Sequence, residues 1–155
     1  MEKFLENLQE AEKIIRTADH MVYVSFPLIK DKRILLLLLS ELKKAIINCI
    51  NVILQYDYLY KRISLYSDAK NNFETFKNKS SKRFNITKQE IELMIRLFEL
   101  EQSHKKSPME FTKDNKVIIL SDDLSQKIIT LEEIKKFLQL SKDILKKTKT
   151  IILGH

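Results

Sequence analysis

A single glycine, Gly154, and two prolines, Pro27 and Pro108, leave this chain very little material for tight turns. A β-sandwich or barrel needs a turn signal about every 8 to 12 residues, so the shortage argues against both and for long helices. The same shortage removes any glycine-rich loop for cradling phosphate. The one cysteine, Cys49, allows neither an internal disulfide nor a cysteine metal cluster. Within the apolar run "AIINCINVIL" it reads as a buried, inert thiol with no adjacent base to activate it. The three histidines add no metal chemistry. His155 is terminal, His104 stands beside Lys105 and Lys106, and His20 follows Asp19 without a second cluster at ligand spacing. No metal and no small-molecule cofactor is expected.

What is present is the composition of one soluble domain, 1–155, with 44% hydrophobic and 32% charged residues. Twenty-eight basic residues against 21 acidic ones give a net charge of +7. That surplus bears on attraction to polyanions and says nothing about fold. The segment Ile34 to Leu54 has the length of a membrane span, but Glu41, Lys43 and Lys44 lie near its middle. Each such charge costs about 2.5 to 3.5 kcal/mol at mid-bilayer, so the segment reads as a core helix and no membrane association is expected. The opening "MEKFLENLQEAEK" lacks the apolar core of a signal peptide, which makes the cytoplasm the expected location.

Apolar residues at helical spacing (Phe4, Leu5, Leu8, Ala11, Ile15, Ala18) predict an amphipathic helix from Glu2 to about Asp19. "HMVYVSFPLI" loses that period, and Pro27 predicts an extended crossing near Phe26. Asp31 is placed to cap a central helix from about Lys32 to Tyr66, with a break allowed at such length. A short helix is expected after Asp68, then a loop around Ser80 and Ser81. Thr87 and Glu90 have capping-box spacing and open a helix to about His104. Ser107, Pro108 and Glu110 suit one short helical turn. "KVIIL" and "KIIT" bracket "SDDLSQ" as a β-hairpin over about 116–130. Thr130 and Glu133 repeat the capping box for a last helix that ends at Gly154. The expected fold is mainly α, a bundle of four to five helices with a β-hairpin inserted before the last long helix.

Between Lys61 and Lys88 stand eight basic residues and two acids, a surplus of six that nearly equals the whole net charge. Tyr58, Tyr60, Tyr66, Phe73, Phe76 and Phe84 interleave with them. Cations neutralise phosphates, and aromatic faces stack on unpaired bases. The candidate nucleic-acid-binding residues are Lys61, Arg62, Lys77, Lys79, Lys82, Arg83, Lys105 and Lys106. The last two join the patch if the loop after Phe84 lies beside the exit of their helix. The phenylalanines are better explained as staples to the core. Acids Glu2, Glu6, Glu10 and Glu12 of the first helix complement Lys135, Lys136, Lys142, Lys146, Lys147 and Lys149 of the last, a pattern for helix pairing or a homodimer contact.

The catalytic candidates are Arg16 and His20, four apart and so on one face if the helix continues, where they suit metal-free RNA cleavage. All-helical domains of this size resemble the HEPN superfamily, many members of which are ribonucleases with an Arg-x(4–6)-His motif. Here "RTADH" has three intervening residues and Arg96 to His104 has seven, so neither matches. The blocks "ADHMVYVSFPLIKDKR", "QYDYLYKRI" and "HKKSPMEF", in this order and across most of the chain, are similar to a family of small uncharacterised archaeal proteins. That resemblance implies an archaeal cytoplasm and transfers no catalytic residue. The expectation is a non-enzymatic protein that binds RNA or belongs to an RNA complex. The alternatives are a protein–protein adaptor or homodimer, then a HEPN-like nuclease.

Overall fold

Leu35, Leu38, Leu42, Ile46, Cys49 and Ile53 recur every three or four residues, and none has exposed surface on helix α3, Arg33–Leu59. The computed structural model describes residues 2–107, 109–113, 116–120 and 125–154. Pro108, most of the "SDDLSQ" loop and His155 therefore lie outside the described residues. Helices α1 (Glu2–His20), α6 (Lys88–Lys106) and α7 (Leu131–Leu153) pack around α3. Burial of each such leucine or isoleucine contributes about 1.5 to 3 kcal/mol, so this axis carries much of the cohesion. The fold is the expected mainly α bundle with strands inserted before α7. Among the described residues no helix is long and apolar enough to cross a membrane.

The expected extended crossing near Phe26 is helical instead. α1 passes through one π-turn, Met21–Ser25, into the short α2, Phe26–Ile29, and the Phe26 N–H reaches back to the Met21 carbonyl. Pro27 lacks an N–H and crowds the carbonyl four residues back, and a wider turn just ahead of it relieves both problems. Phe26 is buried in the core with helical angles, so its packing outweighs the bias a proline imposes on the residue before it.

α3 stops at Leu59, short of the Tyr66 expected. Lys61 takes a left-handed φ of 59°, and the Arg62 N–H bonds the Asp57 carbonyl at 2.9 Å. With glycine absent from every chain reversal but the last, Lys30, Lys61 and Asn85 take the left-handed positions. The loop expected at Ser80 and Ser81 is also helical. Asp68 caps α4 (Ala69–Thr75), which continues through a π-turn (Phe76–Ser80) into α5 (Ser81–Arg83). Serine is a weak helix former because it competes for backbone bonds. Here Ser81 Oγ donates to the Lys77 carbonyl at 2.8 Å while the fully buried Phe76 holds the segment down.

The hairpin is β2 (Lys116–Leu120) against β3 (Gln126–Thr130), with Val117 opposite Ile129. A third strand, β1 (Met109–Lys113), adds to β2 in an antiparallel sheet of order β1-β2-β3. This replaces the helical turn expected from Ser107 and Glu110. Ser107 is extended and its hydroxyl donates to the Leu120 carbonyl at 2.8 Å, while the Glu110 carboxylate pairs with His104. A ladder of backbone bonds satisfies this segment better than one isolated helical turn can. Thr87 and Glu90 form the full capping box of α6. Thr130 caps α7 by accepting the Glu133 N–H at 3.2 Å, but the Glu133 carboxylate goes to Arg96 at 3.1 Å. Gly154 ends α7 at φ 71°.

Candidate functional site

Asp57 lies one turn beyond Ile53 on the buried stripe of α3 and has no exposed surface. A carboxylate there is doubly costly, because it is desolvated and sits at the negative end of a helix dipole. Two arginines compensate. Arg83 donates to Asp57 Oδ2 through Nη2 at 2.7 Å and Nε at 3.1 Å, and Arg62 reaches Oδ1 at 3.4 Å. The left-handed Lys61 turns the chain so that Arg62 comes back to Asp57. The Arg62 guanidinium also lies 5.1 Å from the centre of the Tyr60 ring and 5.9 Å from that of Tyr56. Arg62 and Arg83 keep 41% and 35% of their side chains exposed, so two cations neutralise one buried acid and leave a net positive charge at the surface.

Lys61 and Lys82 adjoin these arginines in sequence, are exposed, and make no ion pair among the described residues; Lys79, one turn before Lys82, is the same. Tyr58, Leu59, Lys61, Ile63 and Ser64 line a groove of about 470 Å³, and Lys79 lines a separate one with Tyr66. Tyr58 and Tyr60 are more than half exposed, as is Tyr66. Phe76 and Phe84 are buried and Phe73 stacks on Phe76, so the phenylalanines are core staples and the tyrosines are the available aromatic faces. No protein-family model, curated protein or solved structure matches this chain. The chemistry of this face therefore rests on its geometry.

The other candidates are placed differently. Lys77 is half-buried, pairs with Glu74 at 2.7 Å and lies over the Phe73 ring. Lys105 bonds the buried Glu101 at 3.0 Å, as does Lys43. Burial pushes the Glu101 carboxyl up, but the bonds from these two lysines outweigh it and hold its pKa below the usual range. The loop after Phe84 enters α6 at Lys88, whereas Lys105 and Lys106 stand at the far end of that helix, about 27 Å along its axis. They do not join the Arg62–Arg83 patch. Arg16 turns to Glu12 at 3.4 Å and lines a groove between α1 and α7, while the exposed His20 is not among the residues that line it.

Asp57, the residue that organises the site, is not among the candidates read from the sequence. Its signal was available. Asp57 is four residues beyond Ile53, and an acid in register with a buried stripe demands a partner. Cys49 is fully buried, and burial pushes its thiol up to about 12, in keeping with an inert role.

Proposed function

We infer that the protein binds single-stranded RNA without acting on it chemically, through Lys61, Arg62, Lys79, Lys82 and Arg83 and the neighbouring tyrosines. The observation that carries this reading is the convergence of Arg62 and Arg83 on the buried Asp57, beside a groove lined by Tyr58 and Lys61. Arginines whose geometry is set in advance lose less entropy on meeting a phosphate. An exposed tyrosine next to them offers a base a stacking surface. Binding of a labelled single-stranded RNA is measured across a salt series. About four phosphate contacts give a slope of log affinity against log salt near −3, at about −0.7 per contact. The Lys61→Glu, Lys82→Glu variant, which leaves the Asp57 pairs intact, is expected to lose at least about tenfold in affinity. Affinity that is insensitive to salt, or unchanged in this variant, overturns the proposal.

A homodimeric bundle is the second reading, and a separate observation favours it. Tyr23, Val24, Leu28 and Ile29 are exposed near the α2 turn, Leu28 at 80% and Ile29 at 63%. Sedimentation of the wild type against Leu28→Glu tests it: a dimer that dissociates in the variant supports the reading, and a monomeric wild type removes it.

A further inference from the structure

Two ion pairs cross the seam between α1 and α7. Lys149 Nζ bonds Glu12 at 2.9 Å, and Lys142 Nζ bonds Asp19. Low numbers on α1 meet high numbers on α7, so the two helices are antiparallel, with the pairs seven residues or about 10 Å apart. Between them the register holds Arg16 on α1 and Lys146 on α7, two cations where the pattern on either side sets an acid against a base. Lys146 is exposed and makes no ion pair among the described residues. Among the described residues Arg16 pairs with Glu12, along its own helix at 3.4 Å, and keeps 78% of its side chain in solvent. Beneath both, Ile15 and Leu145 form the apolar floor of a groove of about 650 Å³.

We propose that this groove binds a small amphipathic anion, with its acidic head between Arg16 and Lys146 and its apolar body on Ile15 and Leu145. The charge around the groove requires the head. Four cations (Arg16, Lys142, Lys146, Lys149) line it against two carboxylates, Glu12 and Asp19, and both carboxylates are already paired. The floor suits the body, because Ile15 and Leu145 line the groove and offer its contents apolar contact instead of hydrogen bonds. The volume falls within the range of about 300 to 1,000 Å³ common to small-molecule sites. The two bridging pairs stand about 10 Å apart along the groove, a spacing that suits a short ligand. This site lies on helices other than those that carry the basic face, so it does not depend on the RNA reading.

The test uses the whole protein and the fluorescent anion 8-anilinonaphthalene-1-sulfonate. Wild type is expected to enhance its emission saturably. Octanoate should displace the probe, and octanol, with no charge, should not. Lys146→Glu sets an acid opposite Arg16 and closes the seam with a third ion pair. It should weaken the probe at least about tenfold while leaving the melting temperature unchanged or raised. The Lys61→Glu, Lys82→Glu variant should bind the probe as wild type does. The proposal is overturned by an absence of enhancement, by equal binding in Lys146→Glu, by displacement with octanol, or by loss of binding in the Lys61 and Lys82 variant.

Discussion

Arg83 donates two hydrogen bonds, at 2.7 and 3.1 Å, to one carboxylate oxygen of Asp57, a residue 26 positions earlier with no exposed surface. This pair ties the α4–α5 segment to the end of α3.

Loss of one partner from a buried ion pair costs about 3 to 5 kcal/mol, less where the surviving pair remains and the guanidinium is partly solvated. Arg83→Ala is therefore expected to destabilise by about 2 to 4 kcal/mol. Arg62→Ala, which gives up one 3.4 Å bond to Asp57 and the contacts with the Tyr56 and Tyr60 rings, should cost less. Urea unfolding midpoints of the two variants check the order. Equal losses would mean that Asp57 is not held chiefly by Arg83.

Lys61 adopts a left-handed φ of 59°, a conformation that costs a residue with a Cβ about 1 to 2 kcal/mol. Lys61→Gly removes that strain but adds unfolded-state freedom, for a net gain of about 0.5 to 1 kcal/mol. Lys61→Ala keeps the strain and should be near neutral. Both delete the same charge, so RNA affinity should fall equally in the two variants while their melting temperatures separate.

Glu12, Glu90 and Glu101 each have a folded-state pKa below the ordinary carboxylate value. Hydrogen bonding to Lys149 lowers that of Glu12. For Glu90 and Glu101 burial acts the other way and is outweighed by Lys147 with Thr87, and by Lys43 with Lys105. A depressed folded-state pKa gives stability that is present above the unfolded value of 4.5 and lost as pH falls through the folded value. These three groups should leave the urea midpoint level from neutral pH down to about 5.5 and lower it below about 4.5. Glu101→Gln should shallow that acid limb.

The Cys49 thiol, fully buried and pushed up to about 12, should resist alkylation in the native protein. At pH 8 only about one thiol in ten thousand is then thiolate. Labelling should proceed through global opening, with a rate that climbs with urea in step with unfolding. Rapid labelling without denaturant would place the thiol near the surface instead.

The candidate site was half legible before folding. Lys61, Arg62, Lys82 and Arg83 stood in one basic stretch, and Tyr58 and Tyr60 stood next to it. Their convergence on Asp57 was not visible, because a lone acid in an apolar helix does not name its partner. Lys105 and Lys106 do not join the patch, because the length of α6 carries them to the opposite end.

Sequence alone determined the features whose physics acts within a turn or two of chain. The caps at Asp68, Thr87 and Thr130, the buried stripe of α3 and the stop at Gly154 follow from local hydrogen bonding and a period of 3.6 residues. Tertiary structure decided what depends on distant partners. Burial of Phe26 and Phe76 turned an expected crossing and an expected loop into helix, and β2 drew β1 into a ladder. Lys149 met Glu12 across 137 positions, leaving Arg16 and Lys146 in the interval between two bridges. Short-range spacing carries no record of such encounters, because they are set by how whole helices pack.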